Sequence, residues 1–169
     1  MSVVSHRAEA PRSIGFALIT ISDTRDATTD RGGPLLAAGL EQAGHRVVQR
    51  AIVKDESPAI EAAVRDAVGR EGVDIVLTTG GTGIAPRDVT HATLARVFDS
   101  PIPGFGEIFR MLSYKEIGSA AILSRACAGL LGGKVVIALP GSPKALELAL
   151  RELILPEAGH LAAQSRGPA

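Results

Sequence analysis

The sequence predicts an α/β protein: a three-layer α/β/α sandwich with a mostly parallel sheet and one antiparallel edge region. Three observations point there. Short apolar runs that suit buried strands alternate with segments of helical period. Connections of this kind are right-handed crossovers, which put helices on both faces of a sheet. Late in the chain, two extended runs meet at a Gly-Gly pair, and that is most easily a hairpin.

The elements follow in order. Residues 1–12 and the tail "QSRGPA" have little periodicity and are expected to be loose ends, leaving one domain over residues 13–164. "IGFALITISD" (14–23) reads as the first strand. "GGPLLAAGLEQAG" (32–44) reads as a helix, with Pro34 near its start and Gly44 past its end. "HRVVQRAIVK" (45–54) is a second strand and "SPAIEAAVRDAVGR" (57–70) a second helix. Ser57 is expected to cap that helix and Pro58 to take its first position, while Ile60, Val64 and Val68 recur at a spacing of four. "VDIVLTT" (73–79) is the third strand, and "THATLARVF" (90–98) is a helix that Thr90 can cap. "GFGEIFRMLSYKEIG" (104–118) contains another helix. "SRACAGLLGGKVVIALP" (124–140) is the hairpin about Gly132 and Gly133. "SPKALELALRELIL" (142–155) closes the domain as an amphipathic helix with Leu146, Leu150 and Leu153 on one face.

Composition limits the function. A chain of 169 residues makes one domain and buries roughly 70% of its unfolded surface, so a core forms without disulfides. Aromatics are 3% and Trp is missing, so that core is Ala, Val, Leu and Ile. Eighteen basic residues against eighteen acidic ones leave no net charge, which removes the electrostatic footprint of a general nucleic-acid binder. An anionic ligand must be held by local geometry. Cys127, the single cysteine, cannot form an internal disulfide and reads as a small buried hydrophobe. His6, His45, His91 and His160 lack the paired spacings of a zinc site and read as surface or helix-end residues. No run reaches 18 apolar residues and no signal-peptide order opens the chain, so a cytoplasmic protein without a membrane partner is expected.

In an open parallel sheet the ligand site lies at the carboxyl ends of the strands. The endings here are "TISDTRDATTDRGG", "KDES", "TTGGTGIAPRD" and "LPGSPK", all polar, and they are expected to face one another across one crevice. Each has a plain structural alternative. Gly80, Gly81, Thr82 and Gly83 can be a turn, or their N–H groups can cradle an anion before a helix start. Gly141, Ser142, Pro143 and Lys144 can be a helix cap, or a second cradle with a nearby cation. Asp55 and Asp88 can each cap its own loop, or together hold Mg²⁺ with substrate phosphate oxygens. Asp23, Asp26 and Asp30 sit among turn formers and are weaker candidates, and Arg87 can meet a phosphate or pair with a carboxylate. The Walker A lysine and the Gly-x-Gly-x-x-Gly dinucleotide fingerprint are both missing, so a phosphate binder of another type is expected.

Four ordered stretches, "LTTGGTGIAPRDVT", "PIPGFGEIFR", "AILSRACAG" and "ALPGSPKA", closely resemble the MoaB/MogA family of molybdenum cofactor biosynthesis proteins, which includes the pterin-binding domain of gephyrin. The resemblance covers about residues 14–155, and "FRMLSYKEIGSAAILSRA" looks more like the MoaB branch. It implies the three-layer fold assembled as a homotrimer or homohexamer. It also implies binding of molybdopterin and, with ATP and Mg²⁺, adenylation of its terminal phosphate with release of pyrophosphate. The product would pass to a molybdate-insertion enzyme. By position in the matching motifs, Asp55 and Asp88 look like the family's two catalytic, metal-holding aspartates, and Gly80, Gly81, Thr82 and Gly83 look like its pterin-phosphate loop. Ser22, Ser113, Gly141 and Ser142 would also line the nucleotide and pterin site. Two alternatives stand beside this enzyme: a non-catalytic molybdopterin-binding or scaffold paralogue, and a general nucleotide-binding α/β protein.

Overall fold

A computed structural model describes residues 11–166. Six strands form one sheet there: β1 (Gly15–Ile21), β2 (Arg46–Val53), β3 (Ile75–Thr79), β4 (Ser100–Pro101), β5 (Cys127–Leu131) and β6 (Lys134–Leu139), in the order β2-β1-β3-β6-β5-β4. The four strands β2, β1, β3 and β6 are parallel, so their carboxyl ends share one edge. The antiparallel region is β5, which runs against β6 on one side and β4 on the other.

Helices cover both faces. On one side lie α1 (Gly32–Gln42), α4 (Pro103–Ile117), α5 (Pro143–Ala149) and α6 (Leu155–Ser165), packed over Phe16, Leu18, Leu77 and Ile137. On the other lie α2 (Ser57–Gly69) and α3 (Thr90–Val97), packed over Ala17, Ile19, Val76 and Val136. Alternate residues of β1 thus feed opposite cores, because strand side chains point to opposite faces. Every residue of β1 is buried, and each large apolar side chain taken from water contributes about 1.5–3 kcal/mol. Both cores are mainly aliphatic, with Phe16 and Phe109 as the buried aromatics of the first.

The expected elements form with boundaries shifted by a residue or two, and three expectations are corrected. Ser57 does not cap α2: Glu56 holds that position, and the Ser57 hydroxyl accepts from Thr93 Oγ1 at 2.8 Å and Arg96 at 2.9 Å, tying α2 to α3. Thr90 does not cap α3: Val89 holds the cap position, and Thr90 is the first helical residue, its side chain buried and its backbone N–H bound to the Gly81 carbonyl at 3.2 Å. The closing helix does not stop near residue 155. It widens into a π-helical turn over Leu150–Ile154 and continues as α6, placing Gln164 and Ser165 of the expected loose tail inside a helix. Pro156 brings no N–H to the ladder, which is where a regular turn would fail. The rest of that tail beyond Arg166, the expected loose segment up to Ala10, and His6 lie outside the described residues. Two short elements escape periodicity altogether, the two-residue β4 and a 3₁₀ segment over Gly118–Leu123.

The hairpin needs its glycines. Leu131 pairs with Lys134, so Gly132 and Gly133 form a two-residue loop, and their φ angles of +56° and +71° are those of the turn that matches strand twist.

One buried carboxylate fixes α1 to the sheet. Asp30 accepts from Thr20 Oγ1 at 2.9 Å and from the N–H groups of Gly32 and Gly33 at 3.1 and 3.2 Å. Asp30→Ala removes that junction and leaves buried donors unpaired. Urea denaturation is expected to show a loss of about 2 kcal/mol or more.

Candidate functional site

The site is built where β3 ends. Gly80 extends the ladder by one bond, its N–H donating to the Leu139 carbonyl at 3.0 Å. The chain then turns over the sheet edge with φ of +106° at Gly80 and +63° at Gly81, a region that disfavours side chains. Space demands glycine as well. A Cβ on Gly80 would strike the Ile21 carbonyl of β1. A Cβ on Gly81 would strike Thr90 Oγ1 and stand 2.8 and 2.9 Å from the carboxylate oxygens of Asp55. A Cβ on Gly83 would stand 2.6 Å from Asp88 Oδ2. The glycines therefore let two carboxylates approach the backbone. Within the described residues the N–H groups of Gly81, Thr82 and Gly83 make no hydrogen bond and remain available to an anion.

Both aspartates are half-buried and locally held. Asp88 closes a tight turn with Ala85, donating N–H at 2.9 Å and accepting at Oδ2 at 3.1 Å. Asp55 donates its N–H to Asp23 Oδ1 at 3.0 Å and accepts from the Val89 N–H at 3.4 Å. Burial pushes the Asp55 carboxyl above the usual carboxylate range. The Val89 N–H opposes the shift, the charges of Asp88 and Asp23 add to it, and Arg87 opposes it. Two interacting carboxylates beside unbonded backbone N–H groups are a set that a cation would relieve. Among the described residues no cluster of three or more His, Cys, Asp or Glu is placed to hold a metal. The set suits Mg²⁺, which takes one or two carboxylates with water and phosphate oxygens, and does not suit an all-protein zinc cage.

Arg125 was not legible as a site residue. Its backbone N–H bonds the Thr82 carbonyl at 3.1 Å, and its guanidinium donates to the carbonyls of Gly83 and, at 2.6 Å, Asp88. One side chain thus closes the loop between the cradle and the aspartate. Arg125 lies in the quoted "AILSRACAG", but nothing in its spacing signals that it reaches back over forty residues.

The endings of β1, β3 and β6 gather at one sheet edge, where adjoining hollows share Gly80 and Gly141. One cleft, about 440 Å³, is lined by residues 80–83, Asp88, Gly141 and Ser142 together with the apolar Phe109, Ile117 and Leu123 and the buried Ser113. A lining that combines backbone N–H groups with apolar side chains suits a ligand with an apolar body and a charged end. Gly141 packs against Gly80, and Ser142 accepts from the Ala145 N–H at 3.3 Å, capping α5 as the sequence suggests. Ser113 Oγ donates to the Phe109 carbonyl at 2.8 Å. Ser22 lines an adjoining hollow of about 60 Å³ that shares Gly80 and Gly141 with this cleft. Asp55 lies beside Gly81, outside the residues that line the cleft.

The remaining candidates sort into supporting roles. Asp26 is held at about 2 by hydrogen bonds from Thr28 and Thr29, as a turn residue. Asp30 anchors α1, and Asp23 holds the Asp55 backbone. Burial pushes the Cys127 thiol up to about 11, so it is no nucleophile at neutral pH. His45 and His91 are lowered, mainly by burial.

Comparison with known proteins follows the same geometry. The profile of the family described as "Probable molybdopterin binding domain" matches residues 17–160. The chain is 51% identical over 162 residues to molybdenum cofactor biosynthesis protein B of Bacillus cereus, covering 95% of this chain and 96% of that one. It is 48% identical over 167 residues to the Bacillus subtilis protein of the same name, covering 98% of each. Among solved structures, the tungsten cofactor synthesizing protein MoaB from Pyrococcus furiosus superposes with a TM-score of 0.83 at 38% identity, over 93% of this chain and 99% of that one.

The raised Asp55 carboxyl gives a pH signature. Its protonated form favours the fold, a contribution fully present below the unfolded value of 3.8 and lost as pH rises through the higher folded value. Asp55→Asn keeps the acceptor for Val89 and removes the charge. Its stability relative to the parent is therefore expected to increase from pH 4 toward pH 7 in urea titrations without divalent metal.

Proposed function

The chain belongs to the family described as "Probable molybdopterin binding domain", and on that premise we propose that it acts in molybdenum cofactor biosynthesis, binding molybdopterin and adenylating its terminal phosphate with ATP. The observation that carries this reading is one arrangement: two glycine turns meeting at the sheet edge, two carboxylates beside the first of them, and apolar side chains lining the same cleft. The free N–H groups of Gly81, Thr82 and Gly83 receive the pterin phosphate, and Phe109, Ile117 and Leu123 face the flat pterin.

In the reaction, a phosphate oxygen of molybdopterin attacks the α-phosphorus of ATP. The new P–O bond forms as the bond to the β-phosphate breaks, and pyrophosphate leaves with that electron pair. Phosphate is already a competent nucleophile, so the chain supplies alignment and charge balance in place of a general base. Asp55 and Asp88 would hold Mg²⁺, which when bound offsets negative charge on the phosphoryl oxygens. Arg125 and the Ala85–Asp88 turn keep that carboxylate in place while the substrate exchanges. The adenylylated product is then consumed by an enzyme that inserts molybdate, in the cytoplasm. Self-association as a homotrimer or homohexamer belongs to the same proposal. Exposed Met111, Tyr114 and Ile122 around one hollow support it, since isolated domains rarely leave such groups together in water.

Purified protein incubated with molybdopterin, ATP and Mg²⁺ is expected to release pyrophosphate and form the AMP-pterin. Asp88→Asn is expected to cut that rate by about a hundredfold or more with an unchanged circular dichroism spectrum. Pterin binding without product in the parent protein would leave a binding protein in place of the enzyme. Light scattering is expected to give three or six chains, and Met111→Lys to shift the mass downward.

A further inference from the structure

We propose that Thr90 is a positioning residue for Asp55, its hydroxyl serving as the hydrogen-bond donor to that carboxylate when a divalent cation is bound. The inference rests on the cation-holding role given to Asp55 above. It starts from an orphaned group. Thr90 is fully buried and its Oγ1 has no hydrogen-bond partner among the described residues, a state that costs free energy in any core. Thr93, one turn along α3, shows how such a hydroxyl is ordinarily satisfied: it bonds Ser57 Oγ at 2.8 Å and the Val89 carbonyl at 2.9 Å.

The orphan faces the site. The place where a Gly81 Cβ would stand is approached by Thr90 Oγ1 and by both Asp55 oxygens, at 2.8 and 2.9 Å. The hydroxyl and the carboxylate thus border one small space, which the missing Gly81 side chain leaves open. The Thr90 N–H bond to the Gly81 carbonyl at 3.2 Å fixes this arrangement from the backbone side. Asp55 meanwhile has one long side-chain bond, from the Val89 N–H at 3.4 Å, so it has unused acceptor capacity and freedom to turn. A β-branched side chain is stiff about its first torsion, which holds the hydroxyl in one direction. If Thr90 served packing alone, valine would fill the same space without the unpaired oxygen. Threonine at this buried position is a local cost that a role at the site explains.

Two variants separate these roles in the full chain. Thr90→Val removes the orphan and is expected to raise the melting temperature of the metal-free protein by about 2–4 °C. The same variant is expected to weaken binding of Mn²⁺ alone, followed by electron paramagnetic resonance, by about tenfold, the loss of one charge-assisted bond. Thr90→Ser is expected to restore Mn²⁺ affinity to within about twofold of the parent. Parent-like Mn²⁺ affinity in Thr90→Val, or equal impairment of Thr90→Ser and Thr90→Val, overturns the assignment. Because metal binding is read without molybdopterin or ATP, failure of the adenylation assay and failure of this inference are distinguishable.

Discussion

The cleft depends on one close approach, that of the Gly81 backbone to the carboxylate of Asp55. No residue with a side chain fits between Asp55 and Thr90, and none tolerates φ of +63° at low cost. The approach brings the ending of β2 against that of β3, and with it a charge beside unbonded backbone N–H groups. Asp88 follows from the same loop, since the chain that passes Gly81 returns through the Ala85–Asp88 turn before α3 begins. Arg125 then closes the loop from the far side through three carbonyls.

Such a loop is costly to fold. It carries two consecutive left-handed residues, a raised carboxyl and a buried hydroxyl without a partner. The sheet beneath tolerates this because it is filled on both faces by aliphatic side chains that are independent of the site. Hydrophobic burial of that kind is non-directional, so it supports the rim without dictating its geometry. The rim is then free to hold strained and charged groups where a ligand needs them.

The elements with strong periodicity were legible because a strand or helix declares itself by which side chains are apolar. β1, β3, α2 and the hairpin at Gly132 and Gly133 are of this kind. Two caps were not legible: Ser57 and Thr90 have the chemistry of capping residues, yet Ser57 spends its hydroxyl on Thr93 and Arg96, and Thr90 turns inward. Capping propensity is local, and here a contact from a distant element overrides it. The π turn at Leu150 and the continuation into α6 were hidden for a related reason. Pro156 reads as a stop, but buried Ala158 and Ala162 reward the chain for continuing along the core.

The sequence by itself determined the alternating order of strands and helices, the polar endings that gather at one sheet edge, and the glycines, serines and aspartates of the candidate site. Those follow from composition at short range, where side-chain polarity and backbone freedom act directly. Only the tertiary structure decided that Ser22 lines an adjoining hollow, that Asp55 flanks Gly81, and that Arg125 and Thr90 lie beside them. Each of these depends on a meeting of segments tens of residues apart. Such meetings are set by how helices pack over the two faces of the sheet, a many-body constraint that no single stretch of chain encodes.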